Sequence, residues 1–106
     1  MEFHAHIYFD GESREGALAL NQALQQVFGQ SVKVHQLIDF PVGPHLWPMF
    51  EVEFEDGLYP NITEFLSVNH GSLPVLIHPL SGDEYADHSD LAQWLGQELP
   101  LDFSKL

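Results

Sequence analysis

The 106 residues make one small domain, 1–106, with room for one modest core. Only 3 Lys and Arg stand against 16 Asp and Glu, a net charge of −13 with histidines neutral, which argues against nucleic acid and anionic membrane surfaces as partners. Zero Cys excludes disulfides, thiolate metal sites and thiol nucleophiles, whereas the 7 histidines are more than twice the Lys and Arg total.

The first ten residues, MEFHAHIYFD, lack the basic region and apolar core of a secretory leader, so a cytoplasmic location is expected. No apolar run approaches the roughly 20 residues of a membrane span. Phe3–Phe9 alternates Phe3, Ala5, Ile7 and Phe9 with His4, His6 and Tyr8, the period of a half-buried strand. From Glu12 to Phe28 the period becomes helical, with Ala17, Leu20, Leu24, Val27 and Phe28 on one stripe. Ser13 is the expected N-cap and Gly29 the expected stop. Val32–Phe40 predicts a second strand, and Pro41-Val42-Gly43-Pro44 a loop. Trp47–Glu55 predicts a third strand, with Phe50, Val52 and Phe54 alternating against Met49, Glu51 and Glu53. Leu58–His70 predicts a second helix with Ile62, Phe65 and Leu66 inward, and Leu73–Pro79 a fourth strand. Asp87–Leu95 predicts a short third helix, and the closing LPLDFSKL is apolar enough to pack on another surface, a partner subunit included.

This order predicts an α+β, ferredoxin-like βαββαβ sandwich: a four-stranded antiparallel sheet with helices on one face, plus a short C-terminal helix. The expected strand order is 4-1-3-2, with strands 1 and 3 central and parallel to each other. Alternation then sends Phe3, Ala5, Ile7, Phe9, Phe50, Val52, Phe54, Val75 and Ile77 toward the helices. The other face carries His4, His6, Tyr8, His35, Glu51, Glu53 and His78. It must be wet, line a pocket, or be covered by a second copy.

On that sheet His4, His6, His45, His78 and His88 converge at one end. Neutral imidazoles bind Fe(II), Zn(II), Cu or Ni, and a His-X-His pair on a strand starts such a site. Glu51 is the available carboxylate for a set of two histidines and one carboxylate, and Asp87 a weaker one. The plainer alternative is that the histidines pack and the glutamates line a solvated strand face. His35 and His70 are expected to be surface or packing residues.

Five motifs in order carry a resemblance: FHAHIYF at Phe3–Phe9, VGPH at Val42–His45, MFEVEF at Met49–Phe54, HPLSGD at His78–Asp83, and Asp87-His88 followed by Trp94-Leu95-Gly96. Together they resemble the DOPA 4,5-dioxygenase family over nearly the whole chain. Two departures are Leu46 after His45, where proline is expected, and Ser81, where threonine is more usual. The resemblance implies a cytoplasmic, ferredoxin-like, dimeric enzyme: an extradiol dioxygenase that opens a DOPA- or caffeate-like catechol with O2 at histidine-bound non-haem iron(II). Zinc or nickel can replace that iron in purified protein.

The family's histidine motifs fall on His4, His6, His45, His78 and His88. Sheet order makes His4, His6 and His78 the expected metal ligands, with Glu51 as a possible further one. His45 and His88 are then the catalytic acid–base candidates. Tyr8, Trp47 and Met49 are the expected lining of the substrate pocket. The alternative function is a non-catalytic metal- or small-molecule-binding dimer on the same fold.

Overall fold

The computed structural model describes residues 1–106. In chain order the elements are β1 (Glu2–Tyr8), α1 (Arg14–Phe28), β2 (Lys33–Val34), β3 (Met49–Glu55), α2 (Tyr59–Asn69), β4 (Val75–Pro79), α3 (Glu84–Asp87) and β5 (Gln93–Leu95). They form a five-stranded sheet in the order β2-β3-β1-β4-β5. The expected four-strand order is present, with one strand added at the β4 edge.

Two expectations about the sheet are corrected. β1 and β3 are antiparallel, as is every neighbouring pair. The reason is geometric: β1 and β2 share a direction across α1, so β3, reversing from β2 and inserted between them, opposes both. Asp87–Leu95 is not a helix. A four-residue turn of helix ends at Asp87, and Gln93–Leu95 pairs with β4 through Val75–Leu95, Leu76–Trp94 and Ile77–Gln93. An edge strand offers a row of free backbone groups, and pairing to it outweighs the local helical pattern.

The second strand is shorter than Val32–Phe40, because its pairing with β3 is interrupted. Val34 faces Val52 and Ile38 faces Met49, so four steps on one side oppose three on the other, a bulge. Ser13 stands at the start of α1, but its hydroxyl bonds Asp10 rather than capping the helix. Gly29 ends that helix at φ +55°, a conformation open to glycine at little cost.

The helix-facing set is as the alternation assigns it. Ala5, Ile7, Phe9, Phe50, Val52, Phe54, Val75 and Ile77 are buried with Ala17, Leu20 and Leu24 of α1 and Ile62 and Leu66 of α2, and Phe3 packs at the margin. Val27 is the exception, exposed at the end of its stripe. On the opposite face Tyr8, Met49, Leu76 and Leu99 form a second, smaller core, packed by Trp47, Trp94 and Leu101. The closing segment therefore packs on its own sheet: Leu101 bridges His45, and the Asp102 amide donates to the Pro44 carbonyl at 2.8 Å. No helix is long and apolar enough to cross a membrane.

Candidate metal and catalytic site

The open face of β1 presents His4, His6 and Tyr8 in succession, because alternate residues share a face. His4 lies directly opposite His78 on β4, and His6 opposite Glu51 on β3. The Nε2 atoms of His6 and His78 come within 3.0 Å of each other. His45 and His88 arrive from other segments. The loop before β3 delivers His45 to the Tyr8 end of β1, because β3 is antiparallel, and its ring still reaches His6, 4.2 Å between centroids. The α3 turn delivers His88, 4.4 Å from the His78 ring and 5.8 Å from that of His45.

Two overlapping donor triads result: His4, His6 and His78, and His6, His45 and His88. His6 is common to both and buried at 3% exposure, and its Nδ1 has no hydrogen-bond partner. An unpaired buried ring nitrogen is costly and calls for an explanation.

Ring tautomers follow from the partners. The Nδ1 of His78 donates to the Pro79 carbonyl at 2.8 Å, and that of His88 to the Glu84 carbonyl at 2.7 Å, since a carbonyl oxygen can only accept. Both therefore keep a bare lone pair on Nε2. The Tyr8 hydroxyl has His45 Nδ1, at 2.7 Å, as its partner and donates to it, which leaves the His45 ring proton on Nε2. His4 Nδ1 lies 3.0 Å from Glu51 Oε1. Outer partners of this kind set which nitrogen of a metal-binding imidazole is free.

Electrostatics keep the centre neutral. Burial, followed by the neighbouring His45 and His78, pushes His6 well below the ordinary histidine range. Burial with His88 and His78 lowers His45 to about 4. Burial also lowers His78. Desolvation raises the Tyr8 hydroxyl, so it stays protonated. His4 goes the other way: half-burial opposes its charge, but Glu51 and then Glu53 and Glu2 outweigh that and raise it. Glu51 is correspondingly lowered, the His4 bond overcoming its partial burial.

The donor set fits a resident divalent metal. It offers imidazoles oriented by outer hydrogen bonds, those of His6, His45 and His78 held neutral by burial, and one buried ring nitrogen, His6 Nδ1, without a partner. The bare Nε2 of His78 accepts from the Nε2–H of His6 at 3.0 Å, so these two ring nitrogens already face one another.

A sequence model of the Dopa 4,5-dioxygenase family matches residues 3–105. The chain belongs to this family. It is 29% identical to the DOPA 4,5-dioxygenase of Amanita muscaria over 112 aligned positions, which cover 99% of this chain and 49% of that protein. It is 30% identical to an uncharacterized 21.2 kDa protein of Botryotinia fuckeliana, over 96% of this chain and 61% of that one. The chain thus spans about half to three-fifths of these two curated relatives. Among solved structures it resembles one from Nostoc punctiforme PCC 73102, named there as a proposed dioxygenase, with a TM-score of 0.92 and 35% identity over 97% of this chain and 88% of that one. Family and relatives together make it a DOPA dioxygenase-like protein.

Against this family background the remaining expected residues fall as follows. Glu51 faces His4 and His6 but is held by His4. Asp87 is buried and accepts from the Ser81 hydroxyl at 2.6 Å and the Ser81 amide at 3.1 Å, which closes the turn that carries His88. His35 bonds Glu53 at the sheet edge, and His70 donates to the Leu73 carbonyl, so both act as packing and surface groups. The structure does not gather Tyr8, Trp47 and Met49 into an open pocket. Tyr8 and Met49 are buried beneath the closing segment, and Trp47 borders a separate cleft with Asp10 and Gln97. The open volume beside the histidines lies at Trp94, Leu99 and Leu101, with His88 in its wall. The signal for it was present as the apolar closing segment, but which surface that segment covers depends on β5.

Proposed function

We propose that this DOPA dioxygenase-like chain is an extradiol dioxygenase that opens catechols with O2, with His4, His6 and His78 holding a non-haem iron(II). The observation that carries this reading is the buried His6, its Nδ1 orphaned and its Nε2 3.0 Å from that of His78, among five converging histidines. Iron, when bound, supplies open positions for the diol and O2 and a route for electrons between them.

The chain's own groups divide the remaining work. The bare Nε2 of His88 takes the proton of a catechol hydroxyl, its Nδ1 anchored on Glu84 so that the lone pair faces the cluster. His88, protonated by that step, is the acid that returns the proton as the ring opens. His45, with Nδ1 fixed by Tyr8, presents Nε2–H as a hydrogen-bond donor that orients the substrate oxygen. The buried wall of Tyr8, Leu76 and Leu99 excludes water from one side of the cluster.

The test is anaerobic loading with iron(II), then a catechol in air, following oxygen uptake and a yellow semialdehyde. Iron-dependent product that disappears in His6→Ala and His78→Ala is expected. Stoichiometric metal with no turnover on any catechol would sink the enzymatic reading and leave a binding protein. Retained iron in His4→Ala with loss in His45→Ala would move the metal to the second triad.

A further inference from the structure

The cleft between β5 and the closing segment has a volume of about 340 Å³, within the ~300–1,000 Å³ span of small-molecule sites. Trp94, Leu99, Leu101 and Phe103 are among its walls, and His88 connects it to the histidine cluster. Its one charged lining residue is the exposed carboxylate Glu98. None of the chain's 3 Lys and Arg lines it. Arg14 is held by Asp39 through bonds of 2.7 and 3.0 Å. Lys33 lies on β2, the opposite edge of the sheet, across from Glu53. Lys105, in the final turn, lies beside Asp102. Near the histidines the remaining charged groups are the carboxylates Glu2, Glu51, Glu53 and Asp87.

We infer that this cleft seats the ring and side chain of a catechol whose side chain ends in an ammonium group and not in a carboxylate. The inference rests on the ring-opening reading above. A flat ring lies against Trp94 and the leucines with its diol toward His88, as apolar walls with a few polar groups dictate. The side chain then runs to Glu98, which attracts an ammonium and repels a carboxylate. A carboxylate would meet no cation in the cleft and would be desolvated without a partner, which is costly. A net charge of −13 adds to the discrimination at long range. A zwitterionic amino-acid catechol gains at one group and loses at the other, so it ranks between the two.

Two measurements test this. Equilibrium titration of the zinc-loaded protein, which binds without turnover, compares dopamine, methylcatechol and homoprotocatechuate. Turnover by the iron-loaded protein compares the same three, each normalised to the neutral methylcatechol. Dopamine is expected to bind about tenfold more tightly than homoprotocatechuate at low salt, with the gap narrowing as salt screens it. Glu98→Gln should cut the dopamine advantage about threefold, and Glu98→Lys should reverse the order. Homoprotocatechuate binding as tightly as dopamine overturns the charge assignment while the ring-opening reading stands. A dopamine advantage untouched by both Glu98 variants overturns the role of this cleft. Full zinc stoichiometry with no catechol bound overturns the ring-opening reading and this inference with it.

Discussion

The two faces of one sheet obey different rules. On the helix face Ala5 and Ile7 of β1 belong to a core of 14 buried residues, with Phe3 packed at its margin. One residue along in each case, His4, His6 and Tyr8 project to the other face, where three more histidines meet them. The apolar face gains stability by excluding water. The histidine face keeps one buried ring nitrogen, His6 Nδ1, without a partner, which lowers stability and marks the candidate site. Fold and site thus lie on alternate residues of the same strand, and substitutions should separate them.

The largest separation is between Phe50 and His6. Phe50 is fully buried on the helix face, so Phe50→Ala should cost about 3–5 kcal/mol, read from urea unfolding of the apo protein. His6→Leu should do the reverse. It removes an orphaned buried nitrogen but also the 3.0 Å bond to His78, so the two offset and apo stability should stay within about 1 kcal/mol, while metal uptake measured by dialysis falls to zero. A loss of several kcal/mol in apo His6→Leu would mean that the ring is structural and the faces are not divided in this way.

Acid should sharpen the contrast. Burial lowers His6, His45 and His78 below the ordinary histidine value in the folded chain. The unfolded chain then binds more protons, so stability present above about pH 6.5 is lost as pH falls toward about 4, the folded value of His45. His4, raised by Glu51, opposes this in part. Urea midpoints of the apo protein should drop between pH 7.5 and 5, and drop less in His6→Leu. A flat profile would show that the cluster does not stay neutral on folding.

How much of this could be read beforehand differs between the faces. Strict alternation in β1 and β3 assigned every helix-facing residue and the histidine face, because a period of two leaves no other choice once one side is apolar. The gathering of His45 and His88 with His6 was also legible, though through a wrong strand direction. With β3 antiparallel to β1, His45 enters at the Tyr8 end, and His6, in the middle of β1, is within reach from either end. What could not be read was β5. Gln93–Leu95 has no local strand signal, and its pairing is dictated by the open edge of β4. Everything that depends on it followed: the burial of Tyr8 and Met49, and the cleft at Trp94. Glu98 carries no pattern at all, and its position matters only once that cleft exists.

The smallest expected effect is in the second core, at Tyr8. Tyr8 is fully buried, stacks with Trp94 at 5.8 Å, and donates to His45 Nδ1 at 2.7 Å. Tyr8→Phe keeps the ring and its packing but removes the one group that sets the His45 tautomer. Stability should fall by only about 1 kcal/mol, the usual value of a buried hydrogen bond, and metal content should be unchanged. Without the phenol, Nδ1 can take the ring proton and Nε2 can turn to the cluster as a lone pair. The oriented donor is then lost, so kcat should fall more than KM rises, by about tenfold. Replacement of His45 by Gln, whose amide donates without a tautomer to set, should make the Tyr8→Phe change additive only in stability and silent in kcat. If Tyr8→Phe still lowers kcat in that background, the phenol acts on the substrate directly and not through His45.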